Sequence, residues 1–290
     1  MSDRVTVSID AGVADVRLNR PDKRNAVDAS MFIAWAETAE ALAADPSVRA
    51  VVLSGEGPSF CAGLDLSTFQ AMAETGGGGS GAGDDGPDPA AGERLAHMFA
   101  DIVAREPGRI TNLAQQAVYG WSQIPVPVIA AIHGHALGAG IQLALGADLR
   151  FATPDAKLAV LEIRWGMVPD MTGLPQLVRV VGLDVAKELT WTGRMVSGEE
   201  AARLGLVTRV VDNPLGDALA LASDLAGKSP DAIRAGKRLA NAADKRGLAE
   251  SFVAESEEMK ALLGGPNQLE AVMSYFEKRP ANYADWHEQG

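Results

Sequence analysis

Pro127-Val128-Ile129-Ala130-Ala131-Ile132-His133-Gly134-His135-Ala136-Leu137-Gly138-Ala139-Gly140-Ile141-Gln142-Leu143-Ala144 is the stretch that decides the fold of this chain. It opens as a short apolar run rich in β-branched residues, bounded by Pro125 and Pro127, which reads as a buried strand. Past Gly134, Gly138 and Gly140 it becomes an Ala/Leu-rich segment that reads as a buried helix. A strand feeding a helix through closely spaced glycines leaves backbone N–H groups free at the positive end of a helix dipole. Such a place favours an anion, either a phosphate or an enolate forming during a reaction. The pattern alone leaves a third use open, glycines that only allow strand and helix to pack tightly.

Two nucleotide motifs can be tested against the same stretch. A dinucleotide fingerprint needs G-x-G-x-x-G/A, and Leu143 stands where its last small residue should be. A phosphate loop of the G-x-x-x-x-G-K-[ST] type is absent. A Rossmann oxidoreductase would have to bind a nicotinamide cofactor, which a fluorescence titration would show.

The composition sets the class. With 290 residues, 47% hydrophobic and 22% charged, the chain can bury a large core as one domain or one domain plus an appendage. No apolar run reaches the ~18 residues of a membrane span, and Met1-Ser2-Asp3-Arg4 does not open a signal peptide. The single cysteine, Cys61, excludes an internal disulfide and a multi-cysteine metal site. A cytoplasmic protein is the default. The net charge of −12 argues against nucleic acid or an anionic membrane as partner. A small anionic ligand would need a locally basic entrance.

In chain order, Val5–Ile9 and Val13–Leu18 read as a hairpin around a Gly12 turn. Asn19-Arg20-Pro21-Asp22-Lys23-Arg24-Asn25-Ala26 is a polar, cationic loop, either solvated or in contact with a phosphate. Asp28 or Ser30 can cap a helix to about Ala44, with Met31, Ala34, Trp35, Thr38 and Leu42 on one face. Ala50–Ser54 is a buried strand leading into Gly55-Glu56-Gly57-Pro58-Ser59-Phe60-Cys61-Ala62-Gly63-Leu64-Asp65-Leu66, a second glycine-punctuated turn. Cys61, lacking a His/Asp partner in sequence, reads as a small packed residue. Gly76 to Gly92 is a low-complexity insert that cannot build a core.

Helical patterning resumes at Glu93, with Leu113, Ala117 and Trp121 on one face. Asp148–Ala152 and Lys157–Leu161 read as strands joined at Pro154-Asp155, and they lead into Glu162-Ile163-Arg164-Trp165-Gly166-Met167-Val168-Pro169-Asp170-Met171-Thr172-Gly173. Helices follow near Leu174–Val181, Leu183–Thr190 and Gly198–Leu204, then a strand Val207–Val211, and from Leu215 the chain is almost wholly helical. The expected division is 1–212 for the core and 213–290 for a helical C-terminal region.

Four segments in order resemble the enoyl-CoA hydratase/isomerase (crotonase) family. They are Asn19-Arg20-Pro21 with Asn25-Ala26, Phe60 to Leu66, Pro127 to Gly140, and Thr192-Gly193-Arg194 with Glu199-Glu200-Ala201 and Leu204 to Val207. Each motif is loose alone; the ordered set is specific and spans nearly the whole chain outside the insert. The resemblance implies an α/β fold, a spiral of ββα units with a helical C-terminal region that assembles a trimer or a dimer of trimers. It implies an acyl-CoA thioester as ligand, with coenzyme A carried by the substrate and no separate cofactor or metal. By motif position, the backbone N–H groups of Leu64 and Ala139 would form the oxyanion hole. Lys23, Arg24, Ala26, Ala62 and Asp65 would line the coenzyme A end, the cations as charge-assisted partners of phosphate.

The carboxylates decide the reaction. Hydratases of the family carry two glutamates; the second is present as Glu162, but Gln142 occupies the first position. An amide cannot take a proton from water, although Gln142 can hold a water or satisfy its helix environment. Asp170, eight residues past Glu162, stands where many hydratases have glycine. A Glu and an Asp at this offset resemble the pair in the Δ3,5,Δ2,4-dienoyl-CoA isomerase branch. One carboxylate would remove a proton and the other deliver one further along the chain. Asp170 as a turn residue after Pro169 is the plain alternative. The sequence therefore points to double-bond isomerisation with Glu162 as principal base. Hydration by Glu162 with a Gln142-held water comes second, and a non-catalytic acyl-CoA-binding relative third. The insert would flank the acyl pocket as a lid.

Overall fold

The computed structural model describes residues 3–65, 102–105 and 108–286. Leu66, the Gly76–Gly92 insert with its expected lid role, and the start of the helical pattern at Glu93 lie outside these residues.

Strand β1 (Val5–Asp10) turns through Ala11 and Gly12 into β2 (Val13–Leu18), and the two pair antiparallel with Val7 opposite Val16. From β2 onward the sheet is parallel. β3 (Ala50–Gly55), β4 (Val128–Ile132), β6 (Leu149–Ala152) and β9 (Arg209–Val210) add in the order β1-β2-β3-β4-β6-β9. Helices lie on both faces, which explains why β3 and β4 read as unbroken apolar runs rather than alternating ones.

The period-2 alternation of side chains sends the two sets of residues to different cores. Val51, Leu53, Val128, Ala130 and Ile132 pack with residues of the Ala29–Ala44, Leu113–Gln123 and Ala139–Gly146 helices. Ala50, Val52, Ile129, Ala131 and Phe151 meet Ala218 and Ala222 of the Pro214–Ala226 helix. That helix thus completes the core. The boundary expected at residue 213 falls before a helix that the back of the sheet requires.

Local signals set the helix ends. Asp28 caps the Ala29–Ala44 helix by accepting from the Met31 N–H at 2.9 Å. Met31, Ala34, Trp35 and Leu42 are buried as expected, with Thr38 half-buried. Asn112 and Gln115 form a reciprocal capping box ahead of Leu113–Gln123, where Ala117 and Trp121 are buried.

Two short strands escaped the sequence reading. Between Gly134 and Gly138, His135–Leu137 forms β5, which joins β7 (Lys157–Ala159) and β8 (Val196–Ser197) in a second, three-stranded sheet. The strands on either side of Pro154-Asp155 therefore belong to different sheets. Three residues between glycines carry too little periodicity to be recognised as a strand.

Beyond the core, helices Pro230–Ala242, Leu248–Leu262 and Pro266–Glu277 follow. Leu248–Leu262 buries none of its residues, and Phe252, Val253, Met259, Tyr275 and Phe276 are each more than half exposed. Among the described residues, no helix is long and apolar enough to cross a membrane.

Candidate active site

The site is assembled where two backbone segments run side by side. The Cys61 N–H donates to the His135 carbonyl at 2.8 Å and the Leu137 N–H donates to the Cys61 carbonyl at 3.0 Å. This ladder lays the 61–65 turn along β5, just ahead of the Ala139–Gly146 helix. On its other side the turn bridges Val27: the Val27 N–H donates to the Gly63 carbonyl and the Asp65 N–H to the Val27 carbonyl. In a parallel bridge, residues flanking the paired one make the bonds, so the Leu64 N–H points away from Val27. Ala139 opens its helix, and its N–H has no carbonyl one turn earlier to bond. Gly138, at φ +51°, makes the left-handed bend that starts the helix there.

Leu64 and Ala139 face one cleft of about 780 Å³. Its walls also include Lys23, Arg24, Ala26, Ala62 and Asp65, so all of the residues expected at the coenzyme A end gather in one place. Asn25 is the reason the cationic loop sits there. Its Nδ2 donates to the carbonyls of Glu56, Ser59 and Phe60, its Oδ1 accepts from the Arg20 N–H, and the Ala62 N–H donates to the Arg24 carbonyl. Arg24 and Asn25 both have positive φ, a bend that asparagine tolerates and these bonds hold.

Asp65 lines the cleft with its carboxylate already engaged by Arg20, Nη2 to Oδ2 2.7 Å, in a pair only slightly exposed. Lys23 and Arg24 are exposed. Burial, with the charges of Arg24 and Lys157, lowers the pKa of His135, whose Nδ1 lies 2.9 Å from Ser59 Oγ. An acidic chain thus presents Lys23 and Arg24 at this edge, beside Asp22.

Glu162 stands in the turn after β7, 7% exposed. A β-carbon on Gly138 would lie 3.5 Å from its Oε1, which places the carboxylate against the start of the Ala139–Gly146 helix. Burial raises its pKa, and the charge of Asp170 raises it further, while hydrogen bonds, including one from Gln142, pull it down. Oε1 accepts from Gln142 Nε2 at 2.6 Å; among the described residues Oε2 is buried and has no partner. A buried carboxylate oxygen without a donor costs free energy, and such costs concentrate at working sites.

Asp170 is more exposed and is not among the described lining residues, yet its surroundings also raise its pKa. Gln142 lies behind Glu162 and off the cleft wall. Cys61 is fully buried, its thiol pushed up to about 12 by desolvation and bonded to the Asn25 carbonyl, in keeping with a packed residue. Among the described residues no cluster of His, Cys, Asp or Glu could hold a metal ion. The sequence reading missed Leu137, Leu161, Arg164, Trp165 and Met167 in the cleft wall. Their closeness in sequence to Gly138 and Glu162 was the available signal.

Backbone segments lining one cleft beside a buried carboxylate suit an enzyme that stabilises an oxyanion next to a proton transfer. The comparisons give that class a family. A model described as enoyl-CoA hydratase/isomerase matches residues 8–79 and 90–287, and the chain belongs to that family. The human enoyl-CoA hydratase domain-containing protein 2, mitochondrial, is 32% identical over 287 residues, covering 97% of this chain and 88% of its own. The rat mitochondrial Delta(3,5)-Delta(2,4)-dienoyl-CoA isomerase is 35% identical over 229 residues, covering 78% of this chain and 64% of its own. The crystal structure of an enoyl-CoA hydratase from Mycobacterium smegmatis superposes with a TM-score of 0.76 at 32% identity, covering 97% of this chain and 99% of that one. The expected α/β crotonase fold is the fold of this protein.

Proposed function

We propose that the protein moves a double bond in an enoyl- or dienoyl-CoA, with Glu162 as base and Asp170 as its partner. The observation that carries this reading is the buried Glu162 carboxylate, one oxygen hydrogen-bonded and the other without a partner among the described residues, beside a second carboxylate close enough to influence it. The thioester oxygen accepts from the Leu64 and Ala139 N–H groups. Glu162 Oε2 removes a proton from the carbon next to the thioester, the electron pair spreads into a dienolate, and the two donors hold its charge. Each such donor is worth about 2.7–4 kcal/mol in the transition state. Asp170, its pKa raised by burial, takes a proton from water and returns it further along the chain. Water resets both carboxyl groups.

Lys23 and Arg24 take the phosphates at the cleft mouth, while Ala26 and Ala62 offer backbone and Asp65 holds the wall through Arg20. The exposed apolar residues on the C-terminal helices fit assembly as a trimer or dimer of trimers. A cytoplasmic setting belongs to the same reading, resting on the single cysteine.

Hydration of a trans-2-enoyl-CoA by Glu162 is the second reading, supported by the hydratase names of the human and mycobacterial relatives. Ultraviolet absorbance separates the two. Growth of a 2,4-dienoyl signal from 3,5-dienoyl-CoA is expected; loss of the enoyl signal alone from trans-2-enoyl-CoA would replace isomerisation by hydration.

A further inference from the structure

One buried side chain ties together the two carboxylates that the proposed isomerisation uses. Gln142 is 2% exposed. Its Oε1 accepts from the N–H groups of Met171 at 3.0 Å and Gly173 at 3.2 Å, while its Nε2 donates to Glu162 Oε1 at 2.6 Å. Two backbone donors on one amide oxygen fix which way the amide faces. Turning it over would set its NH₂ against two N–H groups and its oxygen against a carboxylate.

The turn it holds is not a relaxed one. Thr172 has φ +64°, an uncommon conformation for a β-branched residue, and its buried hydroxyl has no partner among the described residues. A β-carbon on Gly173 would lie 2.5 Å from Gln142 Cγ, so that glycine leaves room for the glutamine. The peptide group whose N–H reaches Gln142 from Met171 carries the carbonyl of Asp170. Fixing that peptide fixes the backbone from which the Asp170 side chain springs.

We propose that Gln142 is a positioning residue that holds the Asp170 turn and reserves Oε2 of Glu162 as the oxygen that takes the proton. The second half follows from donor and acceptor roles. The NH₂ of Gln142 can only donate, so Oε1 must remain an acceptor and a proton on Glu162 resides on Oε2. This inference rests on Glu162 acting as the base.

Several charged groups lie on the elements around Glu162. Its own turn carries Arg164, which lines the cleft. The Leu183–Thr192 helix carries Asp184, Lys187 and Glu188, the last paired with Arg194. The Gly173–Val181 helix carries Arg179, paired with Asp244. The Ala139–Gly146 helix has no ionisable side chain, β5 carries His135 and β7 carries Lys157. Among the described residues, Asp170 is the one whose charge bears on Glu162.

The test is a carbon-13 NMR titration of Glu162 in the unliganded, full-length protein, which needs no turnover. In Gln142→Met the loss of the donor should move the Glu162 titration up by about one pH unit. Asp170→Asn, which lowers that titration in the parent, should shift it by less than half as much when combined with Gln142→Met. Gln142→Glu keeps an acceptor for both backbone N–H groups, so its fold is the safer one. It should raise the Glu162 titration and lower kcat at neutral pH at least tenfold, with KM little changed. Gly173→Ala, pressing on Gln142 from the other side, should move the titration the same way. An unchanged Glu162 titration in folded Gln142→Glu overturns the proposal, as does an equal Asp170→Asn effect in both backgrounds. A parent protein that turns over no dienoyl-CoA would sink the isomerase reading and leave this titration interpretable.

Discussion

A β-carbon on Gly140 would stand 2.4 Å from the main-chain oxygen of Cys61. The two segments that carry Leu64 and Ala139 approach so closely that only a hydrogen fits between them. Gly140→Ala must therefore push the 61–65 turn away from the helix start. Loss of ~10²–10³ in kcat is expected if one donor is misplaced, with a stability cost of about 1–3 kcal/mol from overpacking. Steady-state kinetics beside a urea melt would check both, and parent-like kinetics would show that the approach does not matter.

Glu162→Gln keeps the shape of the side chain and removes the proposed base. Turnover of 3,5-dienoyl-CoA should fall by at least ~10²-fold, while acyl-CoA binding measured by calorimetry stays within a few-fold of the parent. The same change should stabilise the fold at neutral pH. A carboxyl whose pKa is raised on folding contributes stability below its unfolded pKa and loses it as pH rises through the folded one. Thermal melts should put the variant above the parent at pH 7 and converge with it in acid.

The base must be ionised to act, so kcat/KM should rise with pH along a limb lying above the ordinary carboxylate range, because burial and then Asp170 raise the pKa of Glu162. Asp170→Asn removes a like charge, which shifts that limb to lower pH. It also removes the proposed acid, which lowers the plateau. A limb that stays in place while the plateau falls would separate Asp170 from Glu162.

Arg20 and Asp65 form a largely buried pair at 2.7 Å, and Arg20 Nη1 also donates to the Ala26 carbonyl at 2.9 Å. Arg20→Met takes away the cation that the Asp65 carboxylate faces at the cleft wall. Breaking such a pair costs about 3–5 kcal/mol, read as a lowered urea midpoint. The double variant with Asp65→Asn should recover a substantial part of the loss.

The bare apolar face of Leu248–Leu262 carries the assembly prediction. Phe252→Asp, at a side chain 56% exposed in the single chain, should convert the assembly to smaller species in light scattering. A parent that already sediments as a monomer would remove that part of the reading.

Much of this protein was legible in order along the chain. The hairpin, the Asp28 cap, the apolar strands Ala50–Gly55 and Val128–Ile132 and the buried helix after Gly138 follow from periodicity, capping chemistry and glycine placement. Those signals are local, because each depends on residues within a turn or two of one another. The sequence also supplied Glu162, Asp170 and the cationic loop as chemistry without a location.

Tertiary structure decided what those groups face. His135–Leu137 became a strand only because Lys157–Ala159 and Cys61 offered it partners. Asp65 went to Arg20, and the Pro214–Ala226 helix to the back of the sheet. Gln142 looked like a missing carboxylate in sequence. In the fold it is an amide bonded through both its nitrogen and its oxygen, to partners Glu162, Met171 and Gly173 that lie 20 to 31 residues away. Hydrogen bonds across such separations depend on how strands and helices pack, and no local pattern encodes them.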